Sequence, residues 1–130
     1  MNLYEQIVLA KKSIEESTSL NINCFNISLS SISCGESYYI LQHEKNYSVT
    51  YVDERGSVTF LCKSQPLDEA RYQCFKLLVK FCSLEYFKQF KKPFDRFIMF
   101  EKQLEYMKLI ENRYVPILKK EIDDIVASST

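Results

Sequence analysis

His43 is the single histidine of this 130-residue chain, so a Ser–His or Cys–His mechanism would have one base to draw on, with Cys34 or Cys62 as thiols able to approach it. We read it instead as a strand histidine with a structural or surface role. The five cysteines, at 24, 34, 62, 74 and 82, are odd in number and form no CxxC pair of the kind a zinc or redox site uses. They are expected to be mostly buried free thiols. The adjacent carboxylates Asp53-Glu54, Asp68-Glu69 and Asp123-Asp124 have the chemistry to hold a divalent cation, but side by side at a turn or a helix end such groups are ordinarily solvated. No GxxxxGK[ST] or GxGxxG stretch exists to cradle a phosphate. The reading assigns no catalytic residue, metal or cofactor, and expects a protein that is not an enzyme.

Between Phe75 and Arg113, Lys76, Lys80, Lys88, Lys91, Lys92, Arg96, Lys102 and Lys108 alternate with Phe75, Phe81, Phe87, Phe90, Phe94, Phe97 and Phe100. Cations beside aromatic rings can bind a nucleic-acid strand through phosphate contacts and stacking. That makes a nucleic-acid-binding or regulatory adaptor the alternative function, whose binding would weaken steeply with salt. Most of these rings, however, fall at the spacing of a helical core stripe, and the reading adopted is of solvated lysines over an aromatic core. Phe87 and Phe90 exceed what one stripe needs, which points to aromatic surface that meets another chain.

The elements that would position these groups centre on Asn46 to Phe81. Tyr47, Val49 and Tyr51 alternate with Ser48 and Thr50, the period of two of a half-buried strand. Asp53-Glu54-Arg55-Gly56 interrupts with three charges and one of only two glycines, which marks a hairpin turn. Val58, Phe60 and Cys62 resume the alternation on a return strand. Pro66 then suits the first turn of a helix, expected to start near Gln65, and Asp68 and Glu69 complement its dipole by roughly 0.3–1 kcal/mol each. Leu67, Ala70, Cys74, Leu77, Leu78, Phe81 and Leu84 supply its apolar stripe.

Elsewhere, Leu3, Ile7, Ala10 and Ile14 predict a first helix over residues 2–17 with Asn2 as cap. Ile27 and Leu29 suggest a short strand, Cys34-Gly35-Glu36-Ser37 a turn, and Tyr38 to His43 a further strand. Lys91-Lys92-Pro93 ends the central helix, and the next begins at Phe94, carries Phe97, Phe100 or Glu101, Leu104, Met107 and Ile110 or Glu111 on the helical period, and runs to about Ile125. Pro116 within it predicts a kink or two shorter helices meeting near Val115. The expected fold is α+β: an N-terminal helix, an antiparallel meander of three to four strands, then two to three long C-terminal helices packed on one face. One domain is expected over 1–130, the length being ordinary for a single core.

With 46% hydrophobic and 26% charged residues the composition excludes a wholly disordered chain. Formal net charge is zero but unevenly spread: net −4 over residues 1–70, +7 over 71–120 and −3 over 121–130. That pattern fits a surface of two signs better than a uniformly basic nucleic-acid binder. The N-terminal MNLYEQIVLAKKSIEE has charges too early and no continuous apolar run, so it reads as neither secretory signal nor membrane span, and the expected location is cytoplasmic.

From Tyr47 to Leu78 the text YSVTYVDERGSVTFLCKSQPLDEARYQCFKLL resembles small bacterial immunity proteins of polymorphic toxin and contact-dependent growth inhibition systems. The residues that carry the resemblance are the strand Tyr47-Ser48-Val49-Thr50-Tyr51, the acidic-Arg-Gly turn Asp53-Glu54-Arg55-Gly56, the return strand Val58 to Leu61, and the helix opening Asp68-Glu69-Ala70 followed by Phe75, Leu77 and Leu78. The tryptophan frequent in that first strand is absent here. The resemblance implies a cytoplasmic protein that binds one cognate toxin domain, often a nuclease, and blocks its active site or its access to substrate; no membrane or small-molecule partner is expected. Tyr51, Asp53, Glu54, Arg55, Asp68 and Glu69 are the partner-binding candidates.

Overall fold

The computed structural model describes residues 2–22, 27–28 and 37–129. Its elements are α1 (Leu3–Thr18), β1 (Ile27–Ser28), β2 (Ser37–His43), β3 (Asn46–Val52), β4 (Val58–Pro66), α2 (Leu67–Gln89), α3 (Arg96–Ile110), a single 3-10 turn (Asn112–Tyr114) and α4 (Val115–Ser128). The expected α+β class is what forms: an N-terminal helix, an antiparallel sheet and three further helices. Leu29, Cys24, Cys34, Gly35 and Glu36, used in the sequence reading, lie outside the described residues.

The chain divides into two compact units, Met1–Leu9 with Asn23–Phe75 and Ala10–Ile22 with Lys76–Thr130. Neither is a continuous stretch of sequence, because the division falls within α1 and within α2.

α1 follows its pattern closely. Asn2 Oδ1 accepts from the Glu5 N–H at 2.8 Å, satisfying one of the donors a helix start leaves open. Leu3, Ile7, Ala10 and Ile14 are all buried. The helix closes on Ser19, whose φ of 62° and N–H bond to the Glu15 carbonyl make a left-handed cap.

The first unit is built on the sheet, ordered β1-β2-β3-β4. β2, β3 and β4 form the antiparallel meander, and the two-residue β1 adds to β2 in parallel, Ile27 opposite Tyr38. β2 and β3 pair without interruption from Ser37–Val52 to His43–Asn46. β4 does not: Val49 faces Cys62 while the next residue, Thr50, faces Phe60, so one extra β4 residue, Leu61, is accommodated as a bulge. A second irregularity lies between Tyr47–Gln65 and Val49–Cys62, where Ser64 takes a φ of 51°. The expected single face of Val58, Phe60 and Cys62 is therefore broken. Cys62 is buried on the side of Val49, and Val58 and Phe60 are exposed on the other, with the Lys63 ammonium 5.0 Å from the Phe60 ring.

Pro66 is the last residue of β4 and α2 starts one residue later. Its buried face holds Ala70, Cys74, Leu78 and Cys82, with Phe75, Val79 and Phe87 alongside. Leu84, expected in the stripe, is exposed. α2 ends in a left-handed Lys91, φ 51°, with the Lys92 N–H bonded to the Phe87 carbonyl at 3.0 Å, the backbone closure of a Schellman motif.

In the second unit α3 begins two residues later than expected, because Asp95 is its cap: Asp95 Oδ1 accepts from Phe97 N at 2.9 Å and Ile98 N at 3.1 Å. It buries Gln103, Tyr106 and Met107, and leaves Phe97 exposed. As Pro116 required, the helical run breaks into two, with α4 starting at Val115 and the proline in its first turn. α3 and α4 pack together. The Arg96 guanidinium donates to Ser129 Oγ at 2.8 Å, and Lys76 pairs with Glu121 at 3.1 Å.

Candidate functional site

The hairpin joining β3 and β4 is fixed by Asp53. Its backbone N–H donates to the Ser57 carbonyl at 3.1 Å and its carbonyl accepts from Gly56 N at 3.0 Å. Its carboxylate accepts from both Arg55 N and Ser57 N, each at 2.9 Å. Gly56 takes a φ of +82° with nothing within 4 Å of where a Cβ would stand, so glycine is required there by backbone conformation alone. Asp53 is thus spent on the turn more than on any partner. Asp53→Ala is expected to cost about 1 kcal/mol of stability, and Asp53→Asn, which keeps Oδ1 as acceptor, less than about 0.5 kcal/mol. Urea denaturation checks this; equal losses would show that the charge, not the acceptor, holds the turn.

With the turn held, Tyr51, Asp53, Glu54 and Arg55 border one open depression of about 340 Å³. Tyr51 is half-buried, and its ring lies 4.8 Å from that of its cross-strand partner Tyr38, tilted by 44°. Glu54 and Arg55 are exposed at the tip, and no ion pair among the described residues engages either. The wall therefore offers a phenol, an anion and a cation within five residues, with neither thiol nor imidazole among them. Such a set recognises a polar surface through hydrogen bonds and charge.

Asp68 and Glu69 do not join this group. Val52 faces Val58 at the turn end of the ladder and Asn46 faces Pro66 at the other, six residue steps away or about 20 Å. Both carboxylates follow Pro66 in the first turn of α2. They are exposed, and Glu69 accepts from Gln73 Nε2 at 3.3 Å. The six candidates are two clusters at opposite ends of one strand pair. Tyr38 was missed, although its place in a strand ahead of the hairpin was the signal that could have paired it with Tyr51.

His43 is exposed at the same far end of the ladder, opposite Asn46. Cys62 is buried opposite Val49, three β3 residues or about 10 Å along, so the fold does not bring this thiol to the imidazole. Cys62, Cys74 and Cys82 are buried free thiols. Burial pushes the Cys62 thiol up, as does the neighbouring Glu69 charge, partly offset by a hydrogen bond with the Val49 backbone. Burial also raises Cys74 strongly, with Cys62 adding to it. Thiols held protonated in this way are poor nucleophiles.

Among the described residues no helix is long and apolar enough to cross a membrane. Compared with family models, with curated proteins and with solved structures, the chain matches none.

Proposed function

We propose that this chain is a non-enzymatic binding protein that neutralises a cognate toxin domain in the cytoplasm, as an immunity protein does. The observation that carries the reading is the hairpin tip, where Tyr51, Glu54 and Arg55 border one open depression on a turn that Asp53 holds in shape. Also in its favour, the residues that resemble immunity proteins, Tyr47 to Leu78, form one uninterrupted strand-turn-strand-helix unit. A half-buried aromatic beside exposed charges of both signs is suited to a binding hot spot with a polar rim. The charges steer the encounter and fix its register.

The experiment captures partners on the immobilised chain, identifies and purifies a toxin domain among them, and titrates it against wild type and Glu54→Lys/Arg55→Glu. This double reversal leaves net charge unchanged while inverting the tip. Affinity is expected to fall at least tenfold, about 1.4 kcal/mol, with an unaltered melting temperature because both side chains are exposed. Unchanged affinity would remove the tip from the site, and the absence of any toxin among the partners would remove the reading.

A further inference from the structure

The corner between α2 and α3 is a second surface, independent of the toxin reading. Residues 90–95 are exposed without a break. Phe94 and Phe97 are each 62% exposed, Phe90 48% and Ile98 38%, although a core role was expected for Phe97. These rings are not loose: Phe94 lies 5.4 Å from the buried Phe87 ring and Phe90 5.5 Å from Tyr86. Around them stand Lys88, whose side chain is 80% exposed and reaches Glu85 only at 3.9 Å, and Lys91 and Lys92, for which no ion pair is found among the described residues. The one acidic residue among residues 88–98, Asp95, is exposed and spends one carboxylate oxygen, Oδ1, on the α3 cap.

We propose that this corner docks on an anionic lipid surface, with Phe90, Phe94 and Phe97 entering the headgroup–acyl boundary and Lys88, Lys91 and Lys92 among the lipid anions. This departs from the expectation of no membrane partner. Exposed aromatics among residues 88–98, where Lys88, Lys91, Lys92 and Arg96 stand against the single acidic Asp95, match the two terms that hold a peripheral protein on a bilayer, apolar burial and attraction to anionic headgroups. Each lysine near such a surface raises partitioning about fivefold.

A protein partner fits less well. The three rings present roughly 350 Å² between them, against the roughly 800 Å² per side of a standard interface, whose core is depleted in lysine. A nucleic-acid strand needs a positive track several nucleotides long, whereas Lys76 and Lys102 along α2 and α3 are held by Glu121 and Glu105 at 3.1 and 3.2 Å. A bilayer requires neither a large flat interface nor a track.

The test exploits the absence of tryptophan from the chain. Phe94→Trp installs a single fluorophore, whose emission should shift to the blue on adding vesicles of mixed phosphatidylcholine and phosphatidylserine. Wild type should co-sediment with those vesicles, and at least tenfold less with phosphatidylcholine alone or at high salt. Phe94→Ser/Phe97→Ser should lower co-sedimentation at least tenfold, and Lys91→Glu/Lys92→Glu should abolish the preference for phosphatidylserine. All four side chains are exposed, so circular dichroism should report an unaltered fold. The proposal is overturned by wild type staying in the supernatant with both vesicles at low salt, or by undiminished sedimentation of the phenylalanine double variant. Binding to oligothymidylate without binding to vesicles overturns it too, in favour of a strand.

Discussion

Raising the pH from 8 to 11 is expected to remove at least about 4 kcal/mol of folding stability, roughly a third of what a domain of this size possesses. Burial raises the Cys74 thiol far above its ordinary 9.0, and the adjacent Cys62 adds to the effect. Burial likewise raises the Tyr106 hydroxyl above 10.0, with the Glu105, Cys82 and Tyr86 charges contributing. Both groups are neutral in the folded state at pH 11 and largely ionised in the unfolded chain. The native state then holds more protons than the unfolded one, so stability falls as pH rises. The contribution is whole below pH 9, and is lost progressively above 9 for the thiol and above 10 for the phenol. By pH 11 that amounts to about 3 kcal/mol from Cys74 and about 1 from Tyr106, with a smaller further loss from the Cys62 thiol, which burial also raises.

Urea denaturation at the two pH values checks the prediction, and Cys74→Val identifies the group. Valine fills nearly the same volume without a proton to lose, so the fall should shrink by about 3 kcal/mol in that variant. A variant that loses as much as wild type would mean that the buried thiol is not the origin.

What could be read from the chain beforehand depended on whether one signal excluded its alternatives. α1 was legible because Asn2 and the spacing of Leu3, Ile7, Ala10 and Ile14 agree on a single face. The β3–β4 turn was legible because three charges and a glycine, Asp53 to Gly56, interrupt two alternating runs at one place. The break between α3 and α4 followed from Pro116, which removes a hydrogen bond wherever it stands inside a helix. β4 was not legible beyond its existence. Val58, Phe60 and Cys62 stand two apart in VTFLC, and the extra residue at Leu61 arises only when β4 is laid against β3. α2 and α3 carry apolar residues on nearly every side, so period alone does not choose the buried face, and Leu84 and Phe97 were assigned inward when they face outward.

The same limit divides the candidate site. Tyr51, Asp53, Glu54 and Arg55 are neighbours in sequence and remain neighbours at the turn. Asp68 and Glu69 are separated from them by the whole run of β4, an antiparallel strand that carries the chain back along β3 and away from the tip. Resemblance treats those six positions as one motif; strand geometry separates them.

On the proposed immunity function, Tyr51→Ala is expected to weaken binding of the toxin domain at least thirtyfold, about 2 kcal/mol. Tyr51 is half-buried and its ring is already positioned against Tyr38 at 4.8 Å, so little rotamer freedom is left to lose when a partner closes over it. In that complex the exposed Glu54 and Arg55 beside it would supply the rim that excludes water. The substitution also removes the Tyr38 pair, worth about 0.5–1.5 kcal/mol of fold stability, and the titration therefore belongs at a temperature where both proteins are fully folded. Tyr51→Phe separates ring from hydroxyl: it should retain the ring contacts and lose no more than about tenfold, the value of one hydrogen bond. Asp68→Ala/Glu69→Ala supplies the comparison, since these carboxylates stand about 20 Å away along the ladder and should change affinity less than about threefold. If that pair costs as much as Tyr51→Ala, the partner grips the start of α2, and the depression at the hairpin tip is only the shape the turn leaves.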